Sequence, residues 1–141
     1  MKELIRFGVS IDSKLLAKFD TLISERNYEN RSEALRDLIR DTLIQHKIET
    51  ETDIAALGSL TLVYDHHAKN LPKELGETQH NFHDVILSVM HMHVSHEDCM
   101  EIIALKGAIT EITKLADTVL SLKGIKHGKL FLTLPSSEIA S

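Results

Sequence analysis

The first strand-like segment of this chain has no partner in its own sequence, and this constrains the fold more than any other feature. Between Ile5 and Ile11, apolar residues alternate with Arg6, Gly8 and Ser10. A period of two predicts a half-buried strand that presents those three residues on its other face. No hairpin partner follows, and a lone strand has unpaired backbone groups on both edges. We therefore expect it to pair with the same strand of a second chain.

Two helices are predicted after this strand. Apolar residues recur at helical spacing from Leu15 onward, and Asp12 or Ser13 is expected to cap that helix. Asn30 stands three residues before Glu33, which is the spacing of a capping box, and a second apolar stripe follows. Strand, helix and helix together are too small to bury a core alone. We therefore expect an intertwined dimer over residues 1–47.

The rest of the chain predicts a second domain. Residues 48–57 are polar and acidic, as in a linker. Residues 58–134 alternate between strand and helix patterns, and residues 135–141 form a polar tail. The predicted elements are strands at 60–64, 85–94, 99–105 and 130–134 and helices at 71–82 and 109–124. Their order, βαββαβ, is the ferredoxin-like arrangement, so the fold class is α+β.

Composition limits the partners and the compartment. The net charge of −5 divides unevenly: residues 1–47 hold nine Lys/Arg against eight Asp/Glu, and residues 48–141 hold seven against thirteen. The first domain can therefore still present a basic face. A single cysteine excludes an intrachain disulfide and favours a reducing cytosol. We see no signal peptide and no run long enough to span a membrane, so we expect a soluble cytoplasmic protein without a membrane partner.

Histidine is concentrated in one part of the sequence. Seven of the nine histidines lie between His66 and His96, and the only cysteine, Cys99, follows three residues later. Imidazole together with a thiolate suits transition metals and not magnesium or calcium. Each residue alone is more typical of a surface or hydrogen-bonding group, and a lone buried cysteine is usually inert. Their joint spacing favours a metal site, whereas His46, His66, His67 and His127 are interpreted individually as surface or hydrogen-bonding residues.

The spacing predicts which residues hold the metal. His91 and His93 are two apart on a predicted strand, so their rings share a face about 6.6 Å apart. Cys99 lies just across the following turn. Three ligands leave one coordination position for water or for a fourth ligand. His80 is the leading candidate, from its own chain or from a neighbouring subunit.

The first domain has the features of a DNA-binding module. A two-stranded ribbon fits the DNA major groove, where Arg6 can contact guanine and Ser10 can contact several bases. Asn30, Arg31 and Ser32 begin the second helix, whose free N–H groups and dipole can bind phosphate. The alternative is a plain dimerisation strand with a solvated outer face.

These residues together resemble the nickel-responsive transcriptional regulators, which are ribbon-helix-helix repressors with a metal-binding regulatory domain. The resemblance covers nearly the whole chain, and its most distinctive run extends from His91 through His93, His96 and Cys99 to Glu101. The other matching runs are residues 6–11, 30–37, 63–66 and 79–80. The resemblance implies an N-terminal ribbon-helix-helix domain followed by a ferredoxin-like domain of the ACT-like kind.

The resemblance also implies a metal site and an assembly. It implies a homotetramer, a dimer of dimers, in which two ribbon-helix-helix dimers flank a core of four regulatory domains. Square-planar Ni(II) would lie at the core interface, held by His91, His93 and Cys99 of one subunit and by His80 of its neighbour. Nitrogen and thiolate ligation agrees with the preference of Ni(II) and requires a deprotonated Cys99.

Further residues receive supporting roles from the resemblance. They are Tyr64, His66 and Glu101 beside the nickel site, His83 and His96 for excess or other metals, and Glu33 and Asp37 for a second cation such as K⁺.

The DNA-contacting residues depart from the family pattern in two places. The implied partner is operator DNA with palindromic half-sites. Gly8 has no side chain where family members often have a hydroxyl, which leaves Arg6 and Ser10 for base readout. Lys69 keeps one positive charge where members can use a basic pair on phosphate, and Ala68 lacks the other. We therefore expect a looser operator preference, or a different one.

The expected function is nickel-dependent DNA binding that represses nickel uptake genes. In this hypothesis, metal binding orders the helix of His80 and the loop at residues 64–70, which positions the DNA-binding dimers. Three alternatives stay open: a metal hydrolase, a small-molecule sensor with incidental histidines, and a regulator that responds to zinc, copper or cobalt. No substrate pocket can be argued for a hydrolase, and only Glu97, Asp98 and Glu101 are near enough in sequence to act as its general base. We therefore expect no enzymatic activity.

Overall fold

The computed structural model describes residues 2–139. Met1, Ala140 and Ser141, at the ends of the predicted first domain and tail, lie outside the described residues. The chain forms two compact units, of which one ends at Asp41 and the other begins at Thr42. None of the helices in the described part is both long and apolar enough to cross a bilayer. The helices are α1 (Ser13–Glu25), α2 (Arg31–Thr50), α3 (Leu71–Asn81) and α4 (Ile109–Leu120), and the strands are β1 (Ala55–Asp65), β2 (Ile86–His93), β3 (Asp98–Ala108) and β4 (Ile125–Thr133).

The helix starts of the first unit follow the predicted capping chemistry. The side chain of Asp12 accepts hydrogen bonds from the backbone N–H groups of Lys14 and Leu15 at 2.9 and 3.2 Å. Asn30 Oδ1 accepts from the backbone N–H of Glu33 at 2.9 Å. These bonds satisfy N–H groups that have no partner within the helix. Asp12, and not Ser13, is therefore the cap of α1, and Asn30 is confirmed as the capping residue before α2.

The predicted N-terminal strand is absent from the isolated chain. Residues 2–12 form neither helix nor strand. A strand is defined by hydrogen bonds to a neighbouring strand, and within residues 2–139 no segment pairs with this one. Its apolar side chains stay exposed, with 79% of Ile5 and 67% of Phe7 accessible to solvent. The alternating pattern is therefore present, but no surface formed by the described residues covers its apolar side.

The predicted linker at residues 48–57 is largely wrong. Helix α2 continues to Thr50 and β1 begins at Ala55, so only residues 51–54 lie between them. The helix continues because Ile44 and Ile48, one turn apart, are both partly buried against the core of the second unit. The acidic residues that suggested a linker occupy exposed positions of the same segment.

The second unit confirms the predicted βαββαβ order. Its four strands form one antiparallel sheet in the order β2-β3-β1-β4. Alternate residues of β1 and β3 are buried together with the apolar faces of α3 and α4. Strands β1 and β4 begin about five residues earlier than predicted, at Ala55 and Ile125. The buried face of the central strand β3 includes Cys99 and Glu101, so the core extends to the predicted metal site.

Two glycines provide a matched test of this packing. A Cβ at Gly128 of β4 would collide with the Leu120 side chain and lie 3.1 Å from the Thr61 carbonyl oxygen, whereas a Cβ at Gly76 of α3 would meet nothing within 4 Å. We expect Gly128→Ala to lower the free energy of unfolding by about 1–3 kcal/mol through overpacking. Gly76→Ala should raise it by roughly 0.5–1 kcal/mol by reducing the entropy of the unfolded chain. Urea unfolding at one protein concentration measures both, and equal losses of stability would contradict this account of the packing.

Candidate metal centre

The strand register places five functional side chains in two adjacent rows of the sheet. Cys99 of β3 pairs with Tyr64 of β1 on one side and with His93 of β2 on the other. Two residues along β3, Glu101 pairs with His91. Paired residues, and residues two apart on a strand, share one face of a sheet. All five side chains therefore start from the face on which the helices pack.

The thiol of Cys99 is the centre of this arrangement. Its Sγ atom lies 3.3 Å from Nδ1 of His93 and 3.3 Å from Nδ1 of His66. Cys99 is only 1% exposed, whereas both histidines are exposed. The three donor atoms lie within 4.8 Å of one another, and no other His, Cys, Asp or Glu group with metal-binding geometry is found in residues 2–139. A buried sulfur is thus reached from solvent through two imidazoles.

Local backbone contacts explain how His66 reaches the thiol. Strand β1 ends at Asp65, whose Oδ1 accepts a hydrogen bond from the His67 backbone N–H at 2.8 Å. The backbone N–H of His66 donates to the Glu97 carbonyl oxygen at 2.7 Å. These bonds fasten the end of β1 to the turn between β2 and β3, which places the His66 ring above Cys99. The residue-by-residue interpretation of His66 as a surface or hydrogen-bonding group did not connect it with the metal site, whereas the family resemblance did. The available signal was its position directly after a strand that pairs with β3.

His91 belongs to the same site through different contacts. Its Nδ1 lies 2.9 Å from the Tyr64 hydroxyl and 3.5 Å from Glu101 Oε1. The carboxylate of Glu101 is buried and accepts a hydrogen bond from Gln79 Nε2 at 2.9 Å. A partner on Nδ1 orients an imidazole and leaves Nε2 for a ligand. The ring centroids of His91 and His93 are 5.2 Å apart, so the two predicted strand ligands are neighbours.

Burial changes the acidity of the phenol in this site. Desolvation, followed by the negative charges of Glu101 and Cys99, raises the pKa of Tyr64 to about 12. The hydroxyl therefore stays protonated at neutral pH and can donate a hydrogen bond to His91 or to the thiol.

His80 is the predicted ligand that the structure leaves outside this group. It lies in the last turn of α3, is exposed, and stacks on His83 with ring centroids 6.0 Å apart. Its carbonyl oxygen is 3.0 Å from His83 Nδ1. The neighbouring residue Gln79 contacts Glu101, so this end of α3 is joined to the site although the His80 ring is not part of it. The assignment of His80 as a ligand stays a prediction.

Further imidazoles extend from the site to the surface. The ring centroid of His67 is 5.1 Å from that of His66, and that of His96 is 5.4 Å from that of His67. His46 on α2 and His127 on β4 are exposed and contribute no ring to this group. The imidazoles of His66 and His93 and the thiol of Cys99 form a donor set that fits a borderline transition metal such as nickel, because it combines nitrogen donors with one sulfur.

The residues predicted for a second cation have partners of their own. Asp37 accepts a hydrogen bond from the Tyr28 hydroxyl at 2.7 Å and another from Arg40 Nη1 at 2.7 Å, one on each carboxylate oxygen. The bond from Tyr28, and then Arg40, lowers the pKa of Asp37. Glu33 is half-buried on the same helix. A cation at Asp37 would therefore compete with two donors of the same unit.

The predicted DNA-contacting residues are all on the surface. Arg6, Gly8, Ser10, Ser32 and Lys69 are exposed, as are Asn30 and Arg31. The guanidinium of Arg31, however, is bound in a bidentate manner to Asp20, with both N–O distances at 2.8 Å. This pairing lowers the pKa of Asp20. Arg31 would have to release Asp20, or share it, in order to contact a phosphate.

Comparison with known proteins agrees with this division into a helical unit and a histidine-rich unit. Residues 5–45 match the family model described as ribbon-helix-helix protein, copG family, and residues 57–133 match the model described as NikR C terminal nickel binding domain. The fold and the site thus define a two-domain, metal-responsive regulator of the ribbon-helix-helix class.

Full-length relatives identify the family within that class. The chain is 50% identical to a protein of Nitratidesulfovibrio vulgaris and 48% identical to one of Geobacter sulfurreducens, both named as nickel-responsive regulators, over 99% of either chain. The solved structure of an uncharacterized protein of Thermotoga maritima has a similar fold over 56% of this chain and 98% of its own, with a TM-score of 0.51. The two sequences are 21% identical. This chain belongs to the family of nickel-responsive regulators. The family consists of transcriptional regulators, so the metal-hydrolase alternative is wrong.

The raised pKa of Tyr64 predicts a dependence of stability on pH in metal-free protein. The folded phenol titrates at about 12 and the unfolded one at 10, so the folded state holds more protons between these values. The stabilisation from Tyr64 is therefore complete below pH 10 and is lost as the pH rises towards 12. We expect urea unfolding to show a steeper loss of stability over this range in the wild type than in Tyr64→Phe. Equal slopes would contradict the burial of the hydroxyl.

Proposed function

We propose that this chain is a nickel-dependent DNA-binding transcriptional regulator that acts in the cytoplasm and represses nickel uptake genes when Ni(II) is bound. The observation that carries the proposal is the buried Cys99 thiol, whose Sγ atom lies 3.3 Å from an imidazole nitrogen of His66 and 3.3 Å from one of His93. A site of this kind in a chain with a ribbon-helix-helix unit supports a metal sensor over a sensor of organic molecules, in which the histidines would be incidental.

The proposed ligands are His91, His93 and Cys99 of one subunit and His80 of a neighbouring subunit. When bound, Ni(II) would take a thiolate and imidazole nitrogens as its ligands. Support for His91 comes from the partners of its Nδ1, which leave Nε2 for the metal. Support for His80 comes from its exposure at the end of α3. His66, with its nitrogen close to the thiol, is the competing ligand within the chain.

The proposed assembly is a homotetramer built from two ribbon-helix-helix dimers. The exposed apolar residues of segment 5–11 support pairing with a second copy, because pairing covers them and satisfies the strand edges. The sheet face opposite the helices also exposes apolar side chains. Met90 is 59% exposed and Phe131 is 62% exposed, and both alternate with residues of the helix-covered face. These side chains lie on the two edge strands of that face, and their burial against another subunit would remove apolar surface from water.

The proposed partner is operator DNA with two palindromic half-sites. The paired strands would present Arg6 and Ser10 to the major groove, with Gly8 between them. The start of α2 at Asn30, Arg31 and Ser32, together with Lys69, would bind phosphates. A second cation such as K⁺ would bind at Glu33 and Asp37, where it would compete with Tyr28 and Arg40 for the carboxylate oxygens of Asp37.

The proposed regulation depends on a difference in affinity between two arrangements. Nickel promotes DNA binding only if the DNA-competent arrangement holds it more tightly than the other. The contact of Gln79 with Glu101 offers a route, because it joins the end of α3 to the residue that faces His91. Ordering of α3 and of the loop at residues 64–70 around the site would then favour the arrangement that binds both half-sites.

A nickel titration followed by absorption spectroscopy tests the ligands. We expect wild type and His127→Ala, an exposed histidine control, to develop a thiolate-to-nickel charge-transfer band. Cys99→Ala should lose the band because it removes the sulfur. His80→Ala should give an altered band, and mixing its subunits with those of Cys99→Ala should restore some normal sites, because complete ligand sets then form between unlike subunits. No recovery on mixing would contradict a ligand shared between subunits.

Selection of DNA from a random-sequence pool, with and without Ni(II), tests the regulator. We expect enrichment of a palindromic sequence only with nickel. Arg6→Ala should weaken binding to that sequence by about 1–3 kcal/mol and relax the preference at one base pair per half-site. Lys69→Ala should weaken binding to all sequences alike, and Lys114→Ala on α4 serves as the charge control. Equal affinity with and without nickel would contradict the proposed regulation.

A further inference from the structure

The C-terminal segment makes a long-range contact with the end of α2 inside the second unit. Lys47 Nζ lies 2.6 Å from Glu138 Oε2, which joins positions 91 residues apart. The two side chains are 30% and 34% exposed, so the ion pair is partly shielded from water. Shielding reduces the screening that makes most surface ion pairs weak. Residues 135–139, which the sequence predicted as part of a polar tail, therefore include a side chain that is held in an ion pair.

The backbone around Glu138 is ordered by its own contacts. Leu134 is buried, and Ser136–Glu138 form a single 3-10 turn in which the Glu138 N–H donates to the Pro135 carbonyl oxygen at 2.9 Å. Ile139 is partly buried against the hydrophobic core. The carboxylate of Glu138 is therefore presented from a fixed turn with apolar contacts on both sides of it in sequence, and not from a loose chain end.

The end of α2 that receives this contact lies just after the boundary between the two units. Residues 42–50 of α2 belong to the second unit, whereas the helix begins in the first. Ile44, Lys47 and Ile48 lie on one side of the helix, and both isoleucines are partly buried against the core. Because α2 is the covalent connection between the units, any movement between them has to pass through this segment.

We propose that residues 135–139, which we call the C-terminal strap, hold the last turns of α2 on the core of the second unit. The Lys47–Glu138 ion pair and the burial of Ile139 restrain residues 42–50 from fraying. The consequence for DNA binding rests on the function proposed above. A restrained helix end transmits a change at the metal centre to the DNA-binding unit, whereas a frayed end absorbs it.

Charge exchange at the ion pair tests the strap in the full-length protein. We expect Lys47→Glu and Glu138→Lys, each alone, to speed amide hydrogen exchange over residues 42–50 by about two- to fivefold, the range of a single partly exposed ion pair. The double variant should restore slow exchange, because it re-forms the pair with the charges exchanged. Glu49→Lys, an exposed charge reversal on the same helix, should leave exchange over this segment near the wild-type rate.

A second readout joins the strap to regulation. With the DNA selected in the presence of Ni(II), the ratio of affinities with and without nickel should fall by a similar factor in both single variants and recover in the double variant. Unchanged exchange over residues 42–50 in the single variants, or no recovery in the double variant, would overturn the strap. If the exchange data behave as expected but the single variants keep the wild-type ratio of DNA affinities with and without nickel, the strap has no part in regulation. Failure of the wild type to bind nickel or DNA would overturn the proposed function. The hydrogen-exchange experiment needs neither ligand, so it would still test whether the strap restrains residues 42–50.

Discussion

The alignment of three strands around the Cys99 sulfur is the constraint on which the candidate metal centre depends. Strand β3 carries Cys99 into the core, β2 contributes His93 through the register of the hairpin, and the end of β1 contributes His66. Three strands must therefore be correctly aligned before the thiol and the two imidazoles meet. A slip of one residue in either pairing would turn the ligand side chains to the opposite face of the sheet. The hydrophobic core that sets this register thus also sets the geometry of the candidate metal centre.

A second layer of polar contacts joins this centre to the helices. Tyr64 and Glu101 face His91, and Glu101 in turn receives a hydrogen bond from Gln79 at the end of α3. Buried polar groups that satisfy one another fix side-chain positions more strongly than solvated ones, because any displacement leaves a group unpaired in a low-dielectric environment. A ligand that moves His91 therefore has a direct physical connection to α3. In the proposed regulation, this connection links the metal centre to α3, and the attachment of α2 to the core links the second unit to the DNA-binding unit.

Much of the second unit could be predicted from the sequence because its patterns are local. Alternation of apolar residues identified strand β1, and the short turn between His93 and Cys99 placed those two residues within reach of each other. The caps at Asp12 and Asn30 were predictable because each depends on a residue two or three positions away. Local patterns did not show the proximity of His66 to the thiol, since it depends on the pairing of β1 with β3, which brings together residues 33 apart in the chain. Only the family resemblance placed His66 beside the metal site.

The remaining differences arise where local pattern and tertiary contact disagree. The acidic residues after Lys47 suggest a linker, but Ile44 and Ile48 find a core to pack against and the helix continues. The segment at residues 5–11 has a strand pattern and forms no strand, because none of the strands within residues 2–139 pairs with it. Glu138 appeared to lie in a solvated tail, and its contact with Lys47 could not be predicted from residues so far apart in sequence.

X-ray absorption spectroscopy of the nickel-loaded protein tests most directly the central claim that Cys99 and its neighbouring imidazoles hold the metal. The account predicts one sulfur ligand together with imidazole nitrogens around each nickel ion, and loss of the sulfur contribution in Cys99→Ala. A nickel environment of oxygen and nitrogen alone in the wild-type protein would contradict it.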